Sequence, residues 1–276
     1  MSNYKGLLQA ARIILKEHEI ADADVDAWYL LAHVFGINRT DLFLHGEELV
    51  AEVEALRYRE LVDLRASHIP LQHLTGTQEF MGLEFDVTED VLIPRQDTET
   101  LVEEVLKVCD NRTILDMCTG SGCIIVSLAK LAHLKKAVGV DISAKALVIA
   151  GKNAQKHQVE IEYIQSDLFD HIESQYDIIV SNPPYIPSKD IESLMPEVKN
   201  HEPAAALDGS ADGLLFYRRI TAAAMQHLLC GGHIFYEIGY NQGEAVKQIL
   251  IQGGFMEVGI KKDLSGLDRV AFGKKS

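Results

Sequence analysis

The sequence predicts an α/β protein: a small all-helical unit followed by a domain with a mostly parallel sheet covered by helices on both faces. Two observations lead to this prediction. Apolar positions recur at helical spacing up to about residue 68, with almost no turn signals. After Asp97, short apolar segments alternate with helix-period segments, which is typical of βαβ units.

The first unit contains three apolar stripes at helical spacing. One contains Leu7, Leu8, Ala11, Ile14 and Leu15, the second Trp28, Leu31, Ala32 and Phe35, and the third Val53, Leu56, Leu61 and Leu64. We expect these side chains, including Trp28, to form the core of a bundle over residues 1–72. Asp22 or Asp24 is expected to cap the second helix, and Gly36 to end it.

A β-hairpin is predicted over residues 73–94, with its turn at Met81-Gly82. The third part, 95–276, contains seven candidate strands: 112–116, 137–140, 160–164, 176–180, 232–238, 254–260 and 268–273. The last two have no room for a helix between them and are therefore expected to pair antiparallel at a sheet edge. The long segment 186–213 fits a surface loop as well as a functional one.

Composition and charge restrict the function. Of the 276 residues, 47% are hydrophobic and 24% charged, which excludes disordered, collagen-like and coiled-coil classes. The net charge of −15 disfavours a nucleic-acid partner, although a local basic patch would still permit one. No apolar run approaches the length of a membrane span, and charges interrupt the first 20 residues, so we expect neither a membrane-spanning segment nor a signal peptide. The four cysteines lack CxxC spacing, so we expect reduced thiols, a cytoplasmic protein and no membrane partner. The eleven histidines form no HExxH or similar set, so no metal is expected.

A glycine-rich turn follows the first strand of the sheet, in ILDMCTGSGC at 114–123. Glycine allows the backbone to approach a ligand at the carboxyl edge of the sheet. Neither the dinucleotide fingerprint nor the P-loop pattern is met. Taken alone, this turn is also compatible with having no ligand.

Two acidic residues follow the next two strands. Asp141 lies about 20 residues beyond the glycines, the separation at which a carboxylate accepts both hydroxyls of a ribose. Asp167 follows the third strand and is a candidate acceptor for an adenine amino group. Each acid alone is equally explained as a cap near a helix or turn, but the two together with the glycine turn favour an adenosine site.

The most specific motif is Asn182-Pro183-Pro184-Tyr185, after the fourth strand. The two prolines stiffen the loop and lack N–H groups, which leaves a surface that accepts hydrogen bonds. Such a surface suits a planar NH2 group. If the Asn182 side-chain oxygen and the Pro183 carbonyl bind its two hydrogens, the nitrogen lone pair can be aimed at an electrophile, with Tyr185 stacked on the flat group.

These motifs resemble those of a known family. The loop DMCTGSG resembles the S-adenosylmethionine loop of class I methyltransferases, and NPPY resembles their amino-methylating motif. With PLQHLTGTQEFMGLEFDVTEDVLIPRQDTE, VGVDIS, QSDLF, EVKNHEPAAALDG and EIGYNQGEAV, the chain is similar over nearly its whole length to the HemK family of release-factor glutamine methyltransferases.

The resemblance implies a Rossmann-like class I methyltransferase domain of strand order 3-2-1-4-5-7-6, preceded by a helical domain that docks the substrate. It implies methylation of N5 of the glutamine in the Gly-Gly-Gln loop of class I peptide-chain release factors, with S-adenosyl-L-methionine converted to S-adenosyl-L-homocysteine. By this resemblance the cofactor is bound by Cys118, Thr119, Gly120, Ser121, Gly122, Asp141, Asp167, Leu168 and Asn182, and the glutamine amide by Asn182, Pro183, Pro184 and Tyr185.

Three positions depart from the family pattern. Cys118 replaces a usual glycine, so its backbone is either outside the glycine-only conformation or strained by roughly 1 kcal/mol. Leu168 replaces a frequent aromatic residue, which weakens adenine stacking. Gln96 replaces a proline and loosens the preceding linker.

Two other functions are considered. The same tetrapeptide serves adenine or guanine amino-methyltransferases that act on nucleic acid, but the strong lysine doublets are only Lys135-Lys136, Lys261-Lys262 and Lys274-Lys275. A non-catalytic scaffold would tolerate loss of the tetrapeptide, which is intact. We therefore expect a monomeric enzyme with a protein substrate. Glu237, at the end of a later strand, is a candidate to face the pocket, although a capped strand end is the commoner explanation.

Overall fold

The computed structural model describes residues 2–276 and divides into two compact units. The first extends to Gly76 and also contains Met195–His201. The second contains Thr77–Leu194 and Glu202–Ser276, so the predicted hairpin residues from Thr77 onward group with it.

The first unit is built from helices, as predicted. In chain order these are α1 (Tyr4–Glu17), α2 (Ala23–Phe35), α3 (Arg39–His45), α4 (Glu52–Ala66) and α5 (Leu71–Thr75). Gly36 ends α2 in the left-handed conformation, which confirms its predicted role. Asp22 occupies the N-cap position of α2 but makes no side-chain cap bond.

The predicted apolar stripe of α4 is wrong for three of its four residues. Val53 is 79% exposed, and Leu56 and Leu64 are also exposed. The buried face of α4 instead includes Tyr58 and Val62. The Tyr58 hydroxyl donates to the carbonyl of Ala27 on α2, at 2.9 Å. Since a buried hydroxyl needs a partner, this bond fixes the rotation of α4 about its axis, which apolar spacing alone does not reveal. Trp28 is buried, as expected, with the Arg39 guanidinium 4.6 Å from its ring centroid.

A buried ionic cluster lies within the first unit. Arg65 Nε donates to Asp26 Oδ2 at 2.7 Å, and Arg65 Nη2 donates to Glu197 Oε1 at 3.0 Å. Burial raises the pKa of Asp26, and the Arg65 guanidinium opposes this shift. His68 Nδ1 also lies 3.1 Å from Glu197 Oε1. The cluster therefore ties two helices to the segment Met195–His201.

The second unit begins with a hairpin of β1 (Thr77–Phe80) and β2 (Leu83–Asp86). Met81 and Gly82 both have positive φ, +53° and +71°, which is the backbone of a mirror-image hairpin turn. The turn prediction is therefore confirmed.

The sheet of the second unit has seven strands within the described residues, in the order β5-β4-β3-β6-β7-β9-β8. The strands are β3 (Thr113–Met117), β4 (Lys136–Asp141), β5 (Glu162–Gln165), β6 (Tyr176–Ser181), β7 (Leu228–Glu237), β8 (Met256–Lys262) and β9 (Asp268–Lys274). This confirms the expected order 3-2-1-4-5-7-6. Strand β9 is antiparallel to both neighbours, as the predicted edge hairpin requires.

Helices accompany the sheet. They are α6 (Gln96–Leu106), α7 (Cys123–Leu131), α8 (Ala144–His157), α10 (Ala204–Leu207), α11 (Leu215–His227) and α12 (Gly243–Gln252). Helix α9 (Pro196–His201) belongs to the first unit. A 3₁₀-helix, Ser188–Ser193, and α9 and α10 occupy the long segment 186–213. Two apolar clusters, one around Leu115 and Tyr236 and one around Ile114 and Phe235, bury alternate residues of the strands.

The cysteines at 109, 118, 123 and 230 are all free thiols. Across residues 2–276, every helix is too short or too polar to traverse a bilayer.

We predict that Arg65→Ala lowers the unfolding free energy of the first unit by about 3 kcal/mol or more, because it leaves the Asp26 carboxylate buried without its cation. Denaturant unfolding can be followed by the fluorescence of Trp28, the single tryptophan of the chain. The control, Arg57→Ala, removes an exposed arginine from the same helix and should change the free energy by less than about 0.5 kcal/mol. Equal effects of the two variants would contradict the importance of the cluster.

Candidate functional site

A cavity of about 560 Å³ opens at the carboxyl edge of the sheet, within the usual size range of small-molecule sites. Strand register explains its position. Met117, the last residue of β3, pairs with Val140 of β4 and with Ser181 of β6. The loops that follow these three parallel strands are therefore brought to one place.

Most of the predicted site residues line this cavity. They are Cys118, Thr119, Gly120, Ser121, Asp141, Asp167, Leu168, Asn182 and Pro184. Gly122, Pro183 and Tyr185 do not contribute to the lining. The cavity is also lined by residues that the sequence did not indicate as site residues: Asp90, Val91, Leu92, Pro94, Arg95, Thr98, Phe216 and Arg219. Six of them, from Asp90 to Thr98, lie in a segment whose resemblance to the family carries no ligand assignment.

The glycine turn leaves room on the cavity side. Gly120 has φ +54°, and a β-carbon there would meet no protein atom within 4 Å. Gly122 differs: a β-carbon would lie 3.0 Å from the Ala150 Cβ, a tight contact against α8, and its φ of +78° also favours glycine. Cys118 has φ +63°. The backbone of Cys118 is therefore strained, as the second of the two expectations for this residue had it, at a cost of about 1 kcal/mol.

Asp141 connects the glycine turn to the start of α8. Its Oδ2 accepts the Gly120 N–H at 2.9 Å, and its Oδ1 accepts the Ser143 N–H at 2.9 Å. Burial raises the pKa of Asp141, and these backbone donors oppose the rise. Each carboxylate oxygen keeps a lone pair for a further donor. Ser143, rather than Asp141, caps α8, because its hydroxyl oxygen accepts the Ala146 N–H.

Asp167 and Leu168 follow β5, and both line the cavity. Asp167 Oδ2 accepts from Arg219 Nη2 at 3.1 Å, a partner on α11 that the sequence did not indicate. Leu168 is buried and has φ +53°, an uncommon conformation for a leucine. It presents an apolar side chain to the cavity while packing in the core.

The tetrapeptide Asn182–Tyr185 follows β6 directly. Ser181 Oγ donates to the Met117 carbonyl at 2.6 Å and so fixes the end of β6 against β3. Asn182 Nδ2 donates to Thr98 Oγ1 at 3.4 Å. The Tyr185 hydroxyl donates to Glu237 Oε1 at 3.2 Å, and the Tyr185 carbonyl accepts from Gln242 Nε2 at 3.0 Å. The tetrapeptide is thus supported from three different elements.

Asp116, the acid that precedes the glycine turn, is fully buried. Its Oδ2 accepts from the Thr119 hydroxyl at 2.6 Å, and its Oδ1 has no partner in hydrogen-bond geometry within the described part of the chain. Burial raises the pKa of Asp116 to about 7. The ionised form of this buried carboxylate therefore destabilises the folded protein.

Arg95, which lines the cavity, is paired with Glu202. One Arg95 guanidinium nitrogen donates to both oxygens of Glu202, at 2.6 and 2.7 Å. Glu202 is buried, and Arg95 lines the cavity. This pair anchors the segment that leads into α10 beside the start of α6.

The arrangement combines two kinds of surface. Carboxylates and open backbone surround a nucleoside-sized space, and an N–H-free loop with a carboxamide lies at the same cavity. In residues 2–276, no group of histidine, cysteine, aspartate or glutamate side chains is arranged to hold a metal ion.

Solved structures support the fold class. A methyltransferase from Pyrococcus furiosus has a TM-score of 0.54 at 15% identity, covering 71% of this chain and 91% of that one. A Thermus thermophilus 16S rRNA N2 G1207 methyltransferase, solved with AdoMet and guanosine, has a TM-score of 0.52 at 17% identity, covering 72% of this chain and 50% of that one. With the strand order above, the second unit is a class I methyltransferase domain.

Sequence relatives define the family. Residues 6–76 match the PrmC N-terminal domain, and residues 95–200 match the methyltransferase small domain. A release factor glutamine methyltransferase from Geobacter sulfurreducens is 42% identical over 97% of this chain and 95% of its own. One from Agrobacterium fabrum is 40% identical over 95% of this chain and 94% of its own. The chain belongs to the release factor glutamine methyltransferase family.

We predict a pH-dependent stability difference between the wild type and Asp116→Asn. The folded pKa of Asp116, about 7, lies above the value of about 3.9 expected in the unfolded chain. Between about pH 4 and pH 7 the unfolded chain ionises Asp116 while the folded protein keeps it protonated. The free energy of unfolding of the wild type is therefore highest, as far as this group is concerned, below about pH 4, and it falls as pH rises to about 7. The asparagine cannot ionise, so the variant should gain stability relative to the wild type between pH 5 and pH 8.

Thermal unfolding without ligand measures this difference. A lost bond to Thr119 would add an offset that is independent of pH. The exposed Asp170 provides a control, because Asp170→Asn removes a surface carboxylate. A difference for Asp116→Asn that stays constant from pH 5 to pH 8 would refute the assignment.

Proposed function

We propose that this protein transfers a methyl group from S-adenosylmethionine to N5 of the glutamine side chain in the Gly-Gly-Gln loop of class I peptide-chain release factors. The observation that carries the proposal is that Asn182 and Pro184 line the same cavity as the glycine turn and Asp141. The names of the relatives support the release-factor substrate.

The residues present fit the methyl donor. The open side of Gly120 leaves space for the methionine part, and Asp141 retains free lone pairs for the ribose hydroxyls. Asp167 and Leu168 offer a carboxylate and an apolar contact to the adenine. The donor supplies an electrophilic sulfonium methyl group, so the protein itself needs no metal for this transfer.

The tetrapeptide is suited to hold the acceptor amide. An amide nitrogen is a poor nucleophile because its lone pair is delocalised. Asn182 Oδ1 and the Pro183 carbonyl provide two acceptors for its two hydrogens, and neither Pro183 nor Pro184 has an N–H that would compete. Holding the amide in this way directs its nitrogen at the donor, and orientation supplies most of the rate.

No strong base is required in this scheme. Burial, followed by the charge of Glu237, raises the pKa of Tyr185 far above its ordinary value, so its hydroxyl stays protonated. The substrate nitrogen becomes acidic only after it has been alkylated, and its proton can then leave to solvent. Tyr185 supports the loop and, in our proposal, the tilt of the substrate group.

We further propose that the helical first unit docks the release factor and that the enzyme acts as a monomer in the cytoplasm, without a metal and without direct nucleic-acid binding. The net charge of −15 supports a protein partner over a phosphate backbone. Amino-methylation of nucleic acid through the same tetrapeptide remains the competing outcome of the experiment.

We predict that purified protein with labelled S-adenosylmethionine modifies release factor and not RNA or DNA. Mass spectrometry of the Gly-Gly-Gln peptide should show one added methyl group on the glutamine. Label found in nucleic acid alone would overturn the substrate assignment.

We predict that Asn182→Ala lowers kcat by at least about 100-fold while most of the cofactor affinity is retained, because the lost acceptor binds mainly the glutamine amide. Single-turnover kinetics and equilibrium cofactor binding measure the two effects. Lys189→Ala, an exposed change in the same long segment, is the matched control and should leave both unchanged. Undiminished turnover in Asn182→Ala would refute the role of Asn182.

A further inference from the structure

We infer that Thr98 and Glu237 are positioning residues that fix the orientation of the Asn182 carboxamide, so that its oxygen rather than its NH2 group faces the substrate amide. The inference rests on the proposed function and adds two residues to it. Neither residue is among the catalytic or binding residues that the sequence predicts.

Glu237 lies behind the tetrapeptide, at the end of β7. It is 1% exposed. Its Oε1 accepts from the Tyr185 hydroxyl at 3.2 Å. Its Oε2 has no partner in full hydrogen-bond geometry in the part of the chain that the structure describes. Burial raises the pKa of Glu237, and hydrogen bonding from the Thr98 hydroxyl opposes this rise, which places that hydroxyl beside the carboxylate.

Thr98 connects Glu237 to the cavity. It lies in the first turn of α6, is buried, and lines the cavity beside Asn182. Its Oγ1 accepts from Asn182 Nδ2 at 3.4 Å. One hydroxyl therefore faces a carboxylate on one side and a carboxamide on the other.

The direction of these bonds follows from the number of protons. A threonine hydroxyl has one proton to donate, and an ionised carboxylate only accepts. If Thr98 donates to Glu237, it can only accept from Asn182, and the Asn182 NH2 group must point toward it. The Asn182 oxygen is then left for the substrate. With the amide reversed, two NH2 groups would face each other, and the substrate hydrogens would lack an acceptor.

Folding stability alone does not account for Glu237. A buried carboxylate opposes folding, and no ion pair at contact distance offsets it among the described side chains. The charge of Arg269 opposes the rise in the pKa of Glu237 that burial causes, but the contacts of Arg269 are to Asp97 and Asp263. An acceptor-only group behind Thr98 is what the orientation of Asn182 requires.

The alternative is that Glu237 acts only through Tyr185. The two routes differ in which residue Glu237 is energetically coupled to, and double-mutant cycles measure this coupling directly. The first cycle combines Glu237→Gln with Thr98→Val, and the second combines Glu237→Gln with Tyr185→Phe.

The test uses full-length protein and a release factor, with kcat, KM and cofactor affinity measured for each variant. Thr98→Val keeps the shape but removes the hydroxyl, and we expect it to lower kcat roughly 10- to 100-fold, as misoriented reacting groups do, with cofactor affinity unchanged. Thr98→Ser restores the hydroxyl and should recover most of kcat. Glu237→Gln should also lower kcat, because its NH2 group can donate to Thr98 and free the Thr98 proton for Asn182.

Glu237→Gln should have little further effect in the Thr98→Val background. Additive losses in that cycle, or coupling only with Tyr185→Phe, would overturn the inference. Equal kcat for Thr98→Val and wild type would also overturn it. If Glu237→Gln does not fold, as judged by lost cofactor binding, the valine and serine variants of Thr98 still decide the question. Failure of the wild type to methylate the release factor would instead refute the proposed function.

Discussion

The parallel register of β4, β3 and β6 is the constraint on which the site depends. Because Met117 pairs with both Val140 and Ser181, the three strands end at the same level of the sheet. The glycine turn, Asp141 and Asn182 are then neighbours, although they are far apart in sequence. A one-residue slip of β6 would turn every side chain of that strand to the opposite face. The hydrogen bond from the Ser181 hydroxyl to the Met117 carbonyl holds this register at the carboxyl ends of β6 and β3, next to the cavity.

The buried acids near the cavity have one feature in common. Asp116, Asp141 and Glu237 each have a pKa raised by burial, and each is partly compensated by hydroxyl or backbone donors rather than by a contacting cation. A lysine or arginine in contact with these acids would compete with the cationic sulfonium of the methyl donor for the carboxylates. Hydroxyl and N–H donors instead leave the acids as acceptors and fix their directions. The cost to stability is consistent with strain stored at functional sites, as also at Cys118.

Sequence patterns identified the strands of the second unit because each is a short apolar run between turn signals, and β8 and β9 are too close in sequence for an intervening helix. They were less successful for α4, where the exposed Val53 and Leu56 were assigned to the core. That helix is oriented by Tyr58, whose hydroxyl needs a partner on α2. Apolar spacing contains no information about such a bond. Arg219 and Thr98 escaped prediction for a related reason, since isolated residues in α11 and α6 carry no local signal of a cavity.

The sequence by itself determined the chemistry: a glycine turn, acids after successive strands, and a proline-stiffened carboxamide loop. These are local properties, because φ restrictions, missing N–H groups and side-chain donors belong to the residues themselves. Only the tertiary structure decided which of those groups share a cavity, that Cys118 is in a strained conformation, and that Thr98 and Glu237 lie behind Asn182. Those outcomes depend on contacts between residues such as Thr98, Asn182 and Glu237, which are distant along the chain and meet only when the sheet and its helices have packed.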